Sequence, residues 1–96
     1  MNAHPIVRAS EALLHRLHTR LTLRGRLPMW VVYDTTTREY PGLYVARMHV
    51  SLPAAKPTRF AMVAVSVAEL RRMLPPGLFL WSRHPNDAPE IIEVWQ

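Results

Sequence analysis

Cysteine is absent from these 96 residues. Its absence excludes disulfides, thiolate zinc sites and cysteine nucleophiles. Long apolar runs are missing too: nothing approaches the roughly 20 residues that span a bilayer, and the start lacks the apolar core and small-residue cleavage site of a secretory signal. A reducing compartment fits, and the expected location is the cytoplasm. Lysine is nearly missing, because Lys56 is the single lysine among twelve basic residues. The eleven arginines offer planar donor forks suited to phosphate, carboxylate and aromatic faces, although a GC-rich genome yields the same bias.

What is present is a globular composition. With 49% hydrophobic and 20% charged residues, the chain belongs with folded domains, and its length suits one domain with a modest core. The formal charge of +5 is unevenly placed. Residues 1–28 carry Arg8, Arg16, Arg20, Arg24 and Arg26 against Glu11 alone, whereas residues 29–96 nearly balance their charges. The expected organisation is a basic N-terminal helix and connector (1–28) packed on a compact domain (29–96).

Ser10 reads as an N-cap and Gly25 as the residue just past a helix C-terminus, so the pattern predicts a helix over 11–24. Leu13, Leu14, Leu17 and Leu21 form its apolar stripe, with Arg16, Arg20 and Arg24 along the edge and His15, His18 and Thr22 behind. Strands are expected over 29–33, 43–50 and 59–65, with Val45, Arg47 and His49 on the solvent face of the second. Residues 51–58 form a proline-containing turn. Ser66 and Glu69 have capping-box spacing ahead of a short helix that Pro75-Pro76-Gly77 ends. Two further strands, 78–82 and 90–95, complete an α-β-β-β-α-β-β order. Runs of strands favour an α+β fold, a mostly antiparallel sheet with its helices on one face. The last strand reads as an edge, which allows a homodimer through it.

Several constellations carry candidate chemistry. The arginine border of the first helix suits phosphates or an acidic protein surface; equally, it can simply solvate the rim of a docked helix. An Arg-rich, acid-poor amphipathic N-terminus is also the pattern of an organellar transit peptide. Arg24-Gly25-Arg26 is similar to the minor-groove core of an AT-hook, but Leu27 stands where that motif needs proline. Glu11, His15 and His18 share an arc of the helix and have ligand-like spacing, with no specific metal motif around them. His49 with Asp34 or Glu39, and His84 with Asp87 or Glu90, form acid–base pairings that lack a nucleophile. The aromatics on the strands should mostly be core, leaving one tryptophan for a binding surface.

The pieces Trp30-Val-Val-Tyr-Asp34, Glu39-Tyr-Pro-Gly-Leu-Tyr-Val-Ala-Arg47, Leu74-Pro-Pro-Gly-Leu78 and Ile91-Ile-Glu-Val-Trp95 resemble a group of small bacterial and phage-associated proteins of unknown role. The resemblance implies a compact domain to which the N-terminal helix is an addition, and it implies no catalytic residues. The functional expectation is a non-enzymatic binding protein with no cofactor and no metal. Arg16, Arg20, Arg24 and Arg26, supported by Arg47, Arg59 and Arg83, would engage an acidic protein or a nucleic-acid-handling complex. An inhibitor of a bacterial defence system such as CRISPR fits that class by size and by lack of catalytic motifs. Direct DNA or RNA binding is the alternative, with a metal-dependent enzyme using Glu11, His15 and His18 behind it.

Overall fold

The computed structural model of the chain describes residues 7–51, 56–81 and 83–96. Its elements are β1 (Val7–Arg8), α1 (Glu11–Leu23), β2 (Pro28–Tyr33), β3 (Tyr44–Val50), β4 (Lys56–Ala64), α2 (Val67–Met73), β5 (Leu80–Trp81) and β6 (Ile91–Trp95). The order read from the sequence holds, with β1 added in front. The turn expected over 51–58 lies partly outside the described residues, as does the strand end expected at Ser82.

Local signals set the helix ends. The Ser10 hydroxyl accepts from the Leu13 N–H at 3.2 Å, and the Ser66 hydroxyl accepts from the Glu69 N–H at 3.1 Å, each satisfying a donor the helix itself cannot. At the other end of α1, Gly25 adopts φ +77°. This lets Arg26 N–H reach the Leu21 carbonyl and Gly25 N–H the Thr22 carbonyl, a Schellman closure. The Arg24-Gly25-Arg26 tripeptide is therefore folded into a helix terminus, not extended as a minor-groove hook requires.

The six strands form one sheet in the order β1-β4-β3-β2-β6-β5. Among the described residues only the β1–β4 pair is parallel. This is an α+β fold. Alternation along the strands sends Trp30, Val32, Ala46, Met48, Met62 and Ala64 to one face, where Leu14 of α1 and both Leu70 and Leu74 around α2 close the main core. Trp30, on the central strand β2, is fully buried.

Among the described residues no helix covers the opposite face, yet it is not the solvent face expected from Arg47 and His49. Val45, Ala61 and Val63 form a second buried cluster there, covered by Tyr33, Tyr40 and Leu43. The connection between β2 and β3 folds back over the sheet, so two polar residues on one side of a strand did not mark an exposed side.

Two further readings change. The final strand is not an edge: β6 pairs with β2 on one side and with β5 on the other, and the free edge falls on Leu80–Trp81. Residues 7–27 pack closely on the rest of the chain, with β1 extending the sheet beside β4 and Leu14 in the main core. The leucine stripe is narrower than its spacing implied. Leu17 and Leu21 pack against the core, but Leu13 stays 44% exposed.

Helix α2 is tied to the sheet through charge. Arg71 donates to both carboxylate oxygens of Glu93, and Trp95 Nε1 donates to Glu93 Oε1 at 3.0 Å. Burial would raise the pKa of this carboxyl, but the bonds from Arg71 and Trp95 outweigh it and hold Glu93 below its ordinary value.

Truncating the centre of the core should be costly. Leu14→Ala is expected to destabilise the fold by about 2–5 kcal/mol, while Leu23→Ala, at a position 82% exposed, changes stability by no more than about 0.5 kcal/mol. Urea denaturation of the two variants gives the comparison. Arg71→Ala, which leaves the Glu93 carboxylate buried without its cation, is expected to cost about 1–3 kcal/mol and the exposed Arg72→Ala far less.

Candidate anionic-partner interface

Orientation of α1 decides which of its residues meet solvent, and two histidines set that orientation. His15 Nε2 bonds the Met73 carbonyl at the end of α2, at 2.6 Å. The Trp30 indole N–H donates to His18 Nδ1 at 3.2 Å, with the two rings stacked at a 6.3 Å centroid separation. Burial, and secondarily the nearby His15, lowers the pKa of His18. A neutral imidazole is what an acceptor at Nδ1 requires. The expectation of a polar face behind the leucines is thus corrected, since these rings dock the helix.

The same contacts separate the residues of the metal reading. His15 Nε2 lies 4.0 Å from Glu11 Oε2, while His18 is turned to Trp30. Among the described residues no group of three or more His, Asp or Glu side chains is arranged to hold a metal ion.

With His15, His18, Leu14 and Leu17 turned inward, Arg16, Arg20 and Arg24 project from the helix and are exposed. Arg16 and Arg20 stand on a ridge between two grooves. One groove, of about 570 Å³, runs along the outer flank of α1 past Thr19, Leu23 and Arg24. The other, of about 350 Å³, lies between α1 and β4 and is floored by Leu13, Leu14, Leu17 and Phe60. None of these arginines forms an ion pair among the described residues. The result is a cationic ridge bordered on both sides by apolar surface, with Leu13 and Leu23 exposed beside it.

The other expected contacts divide. Arg26 is exposed directly after the helix, and Arg59 is exposed on β4 next in sequence to Phe60. Arg47 points to the opposite face of the sheet, where its Nε donates to the Thr58 carbonyl at 2.6 Å and it shares a recess with Tyr33, Thr37, Glu39 and Glu90. Arg83 braces the connection between β5 and β6 by donating to the carbonyls of Ile91, Asp87 and Ala88. The structure brings Arg16, Arg20 and Arg24 together on one helix flank, and it does not bring Arg47 or Arg83 to them. Exposure of Leu13 and Leu23 beside the ridge was missed by sequence reasoning. The one available signal was Leu23, which lies outside the apolar arc of the helix.

Three members of the acid–base pairings bond backbone groups. The Asp87 carboxylate accepts the His84 backbone N–H at 2.9 Å, and His84 Nδ1 accepts from the Asn86 N–H at 3.0 Å, so both shape a turn. Asp34 likewise caps its own turn through the Thr36 N–H at 2.9 Å. His49 is half-buried, its Nε2 out of solvent and without a hydrogen-bond partner among the described residues.

No family model, curated protein or solved structure matches this chain. Its own geometry must therefore carry any functional reading. Among the described residues no helix is long and apolar enough to cross a membrane.

Burial, and secondarily Arg47, pushes the pKa of His49 down to about 4 from an ordinary value of 6.5. The unfolded chain then takes up a proton before the folded one does as pH falls. The contribution of this group to stability is complete above about pH 6.5 and declines toward pH 4. Melting temperature should accordingly fall between pH 7 and pH 5, and His49→Leu should flatten that dependence. An unchanged slope in the variant would contradict the assignment.

Proposed function

We propose that this protein is a non-enzymatic binding module whose α1 flank engages an anionic partner. The observation that carries the reading is the ridge of Arg16 and Arg20, which lines both grooves beside α1 with no carboxylate pairing either side chain among the described residues. An unpaired guanidinium pair on a docked helix has no internal carboxylate to give up on binding, and arginine is enriched where interfaces concentrate their energy.

An acidic protein surface fits this flank better than free nucleic acid. Phosphates would be satisfied by the arginines alone, whereas exposed Leu13 and Leu23 and the Leu17–Phe60 groove call for apolar side chains between the acidic ones. Arg24, Arg26 and Arg59 extend the positive field around the ridge, and a chain of net charge +5 is steered toward surfaces of opposite sign. A nucleic-acid-handling complex is the partner class we favour. Inhibition of a bacterial defence complex such as CRISPR is one role of that kind, in the cytoplasm of a bacterial cell.

The test is charge reversal within the intact fold. Removing residues 1–28 would take away β1 and Leu14 with the arginines, so the comparison uses full-length protein and Arg16→Glu/Arg20→Glu. The double variant is expected to fold with unchanged melting behaviour and to lose capture of an acidic partner from host lysate by about tenfold or more. Equal capture by both proteins rejects the reading. Steep salt dependence on bare duplex or single-stranded DNA, lost in the same variant, would instead support the nucleic-acid alternative.

A further inference from the structure

The two edges of the sheet are finished differently. At the β1 edge the outward N–H of Arg8 is taken by the Tyr40 hydroxyl at 3.2 Å, and the strand carries a charged side chain. Both features discourage pairing with another chain. The β5 edge has neither. Residues 73–82 contain no charged side chain, and Phe79, Leu80 and Trp81 are 73%, 51% and 57% exposed, with Ile92 of β6 exposed as well.

The hydrogen-bond pattern shows what this edge offers. Phe79 and Gln96 exchange both backbone bonds, at 3.0 and 3.1 Å. The next pair in register, Leu80 with Trp95, is therefore a non-bonded pair of the antiparallel ladder. Both the N–H and the C=O of Leu80 then point away from the sheet, and neither has a partner among the described residues. Phe79 and Trp81 stand on one face of the strand and Leu80 on the other.

We infer that the protein associates with a second copy of itself by antiparallel pairing of β5 with β5 about a two-fold axis at Leu80. The edge is self-complementary in this register. The two Leu80 residues exchange their outward N–H and C=O groups, and each Phe79 falls opposite the Trp81 of the other copy, giving two symmetry-related aromatic pairs. The charge distribution allows it. Helix α1 packs over β2 and β4, so its arginines are remote from β5 in the strand order, and two basic chains can meet here with their positive ridges apart. Because β5 is only two residues long, the dimer is expected to be weak, dissociating in the range of about 1–100 µM. This inference is independent of the partner read for α1.

Analytical ultracentrifugation of the full chain from about 5 to about 500 µM should show a monomer becoming a dimer. Leu80→Pro removes an N–H that has no partner among the described residues, and Phe79→Glu places a charge against the Trp81 of the other copy. Each should weaken dimerisation by at least about tenfold. The cysteine-free background permits a register test that does not depend on those variants folding. Across a bonded antiparallel pair the Cα atoms lie about 5.5 Å apart, within disulfide reach, so Leu80→Cys should cross-link readily under mild oxidation while Thr19→Cys on the exposed side of α1 does not. A monomer throughout the concentration range overturns the proposal. So does a dimer in which Leu80→Cys cross-links no faster than Thr19→Cys.

Discussion

The bond from the Trp30 indole to His18 is the contact around which this molecule is arranged. A fully buried tryptophan supplies the largest side chain of the core, but its N–H must find an acceptor or cost the fold the desolvation of a polar group. His18 provides that acceptor from α1. One hydrogen bond thereby fixes the rotation of the helix about its own axis, and burial keeps the imidazole in the neutral form that can accept it.

Every exposed feature of α1 follows from that rotation. With His18 turned to Trp30 and His15 to the Met73 carbonyl, Leu14 enters the core and Arg16 and Arg20 must face outward. Leu13, one position before Leu14, is carried to the rim and becomes one wall of the groove against Phe60. The cationic ridge and its apolar borders are consequences of docking a helix by its histidines as well as by its leucines. The sheet obeys the same economy of satisfaction. Tyr40 closes the backbone at β1 and Arg83 ties down the carbonyls near β6, while Leu80 on β5 is left open.

Much of this was legible in the residues. Ser10, Gly25 and Ser66 act through bonds within a few positions of themselves, so α1 and α2 could be bounded from local sequence. The β-branched and aromatic runs gave five of the six strands within a few residues, and the run of three strands between the helices pointed to an antiparallel sheet. Strand β1 was not legible, because two residues hold strand geometry there only by pairing with Phe60 and Ala61 some fifty positions later. Nor was the burial of Val45. Arg47 and His49 looked like a solvent face, and only the return of Tyr40 and Leu43 across the sheet makes that side an interior.

The candidate surface divides along the same line. The sequence alone determined the one-domain α+β class, the helix termini and the concentration of arginine in the first 28 residues, since composition, capping and periodicity are properties of neighbours in the chain. Tertiary structure decided which arginines stand together. Arg16, Arg20 and Arg24 share a helix flank by their spacing, but that this flank faces solvent depends on Trp30, and that Arg47 and Arg83 are turned to the carbonyls of Thr58 and Ile91 depends on strand pairing. Charge is written in the residues; its position in space is set by what each side chain must bury or bond.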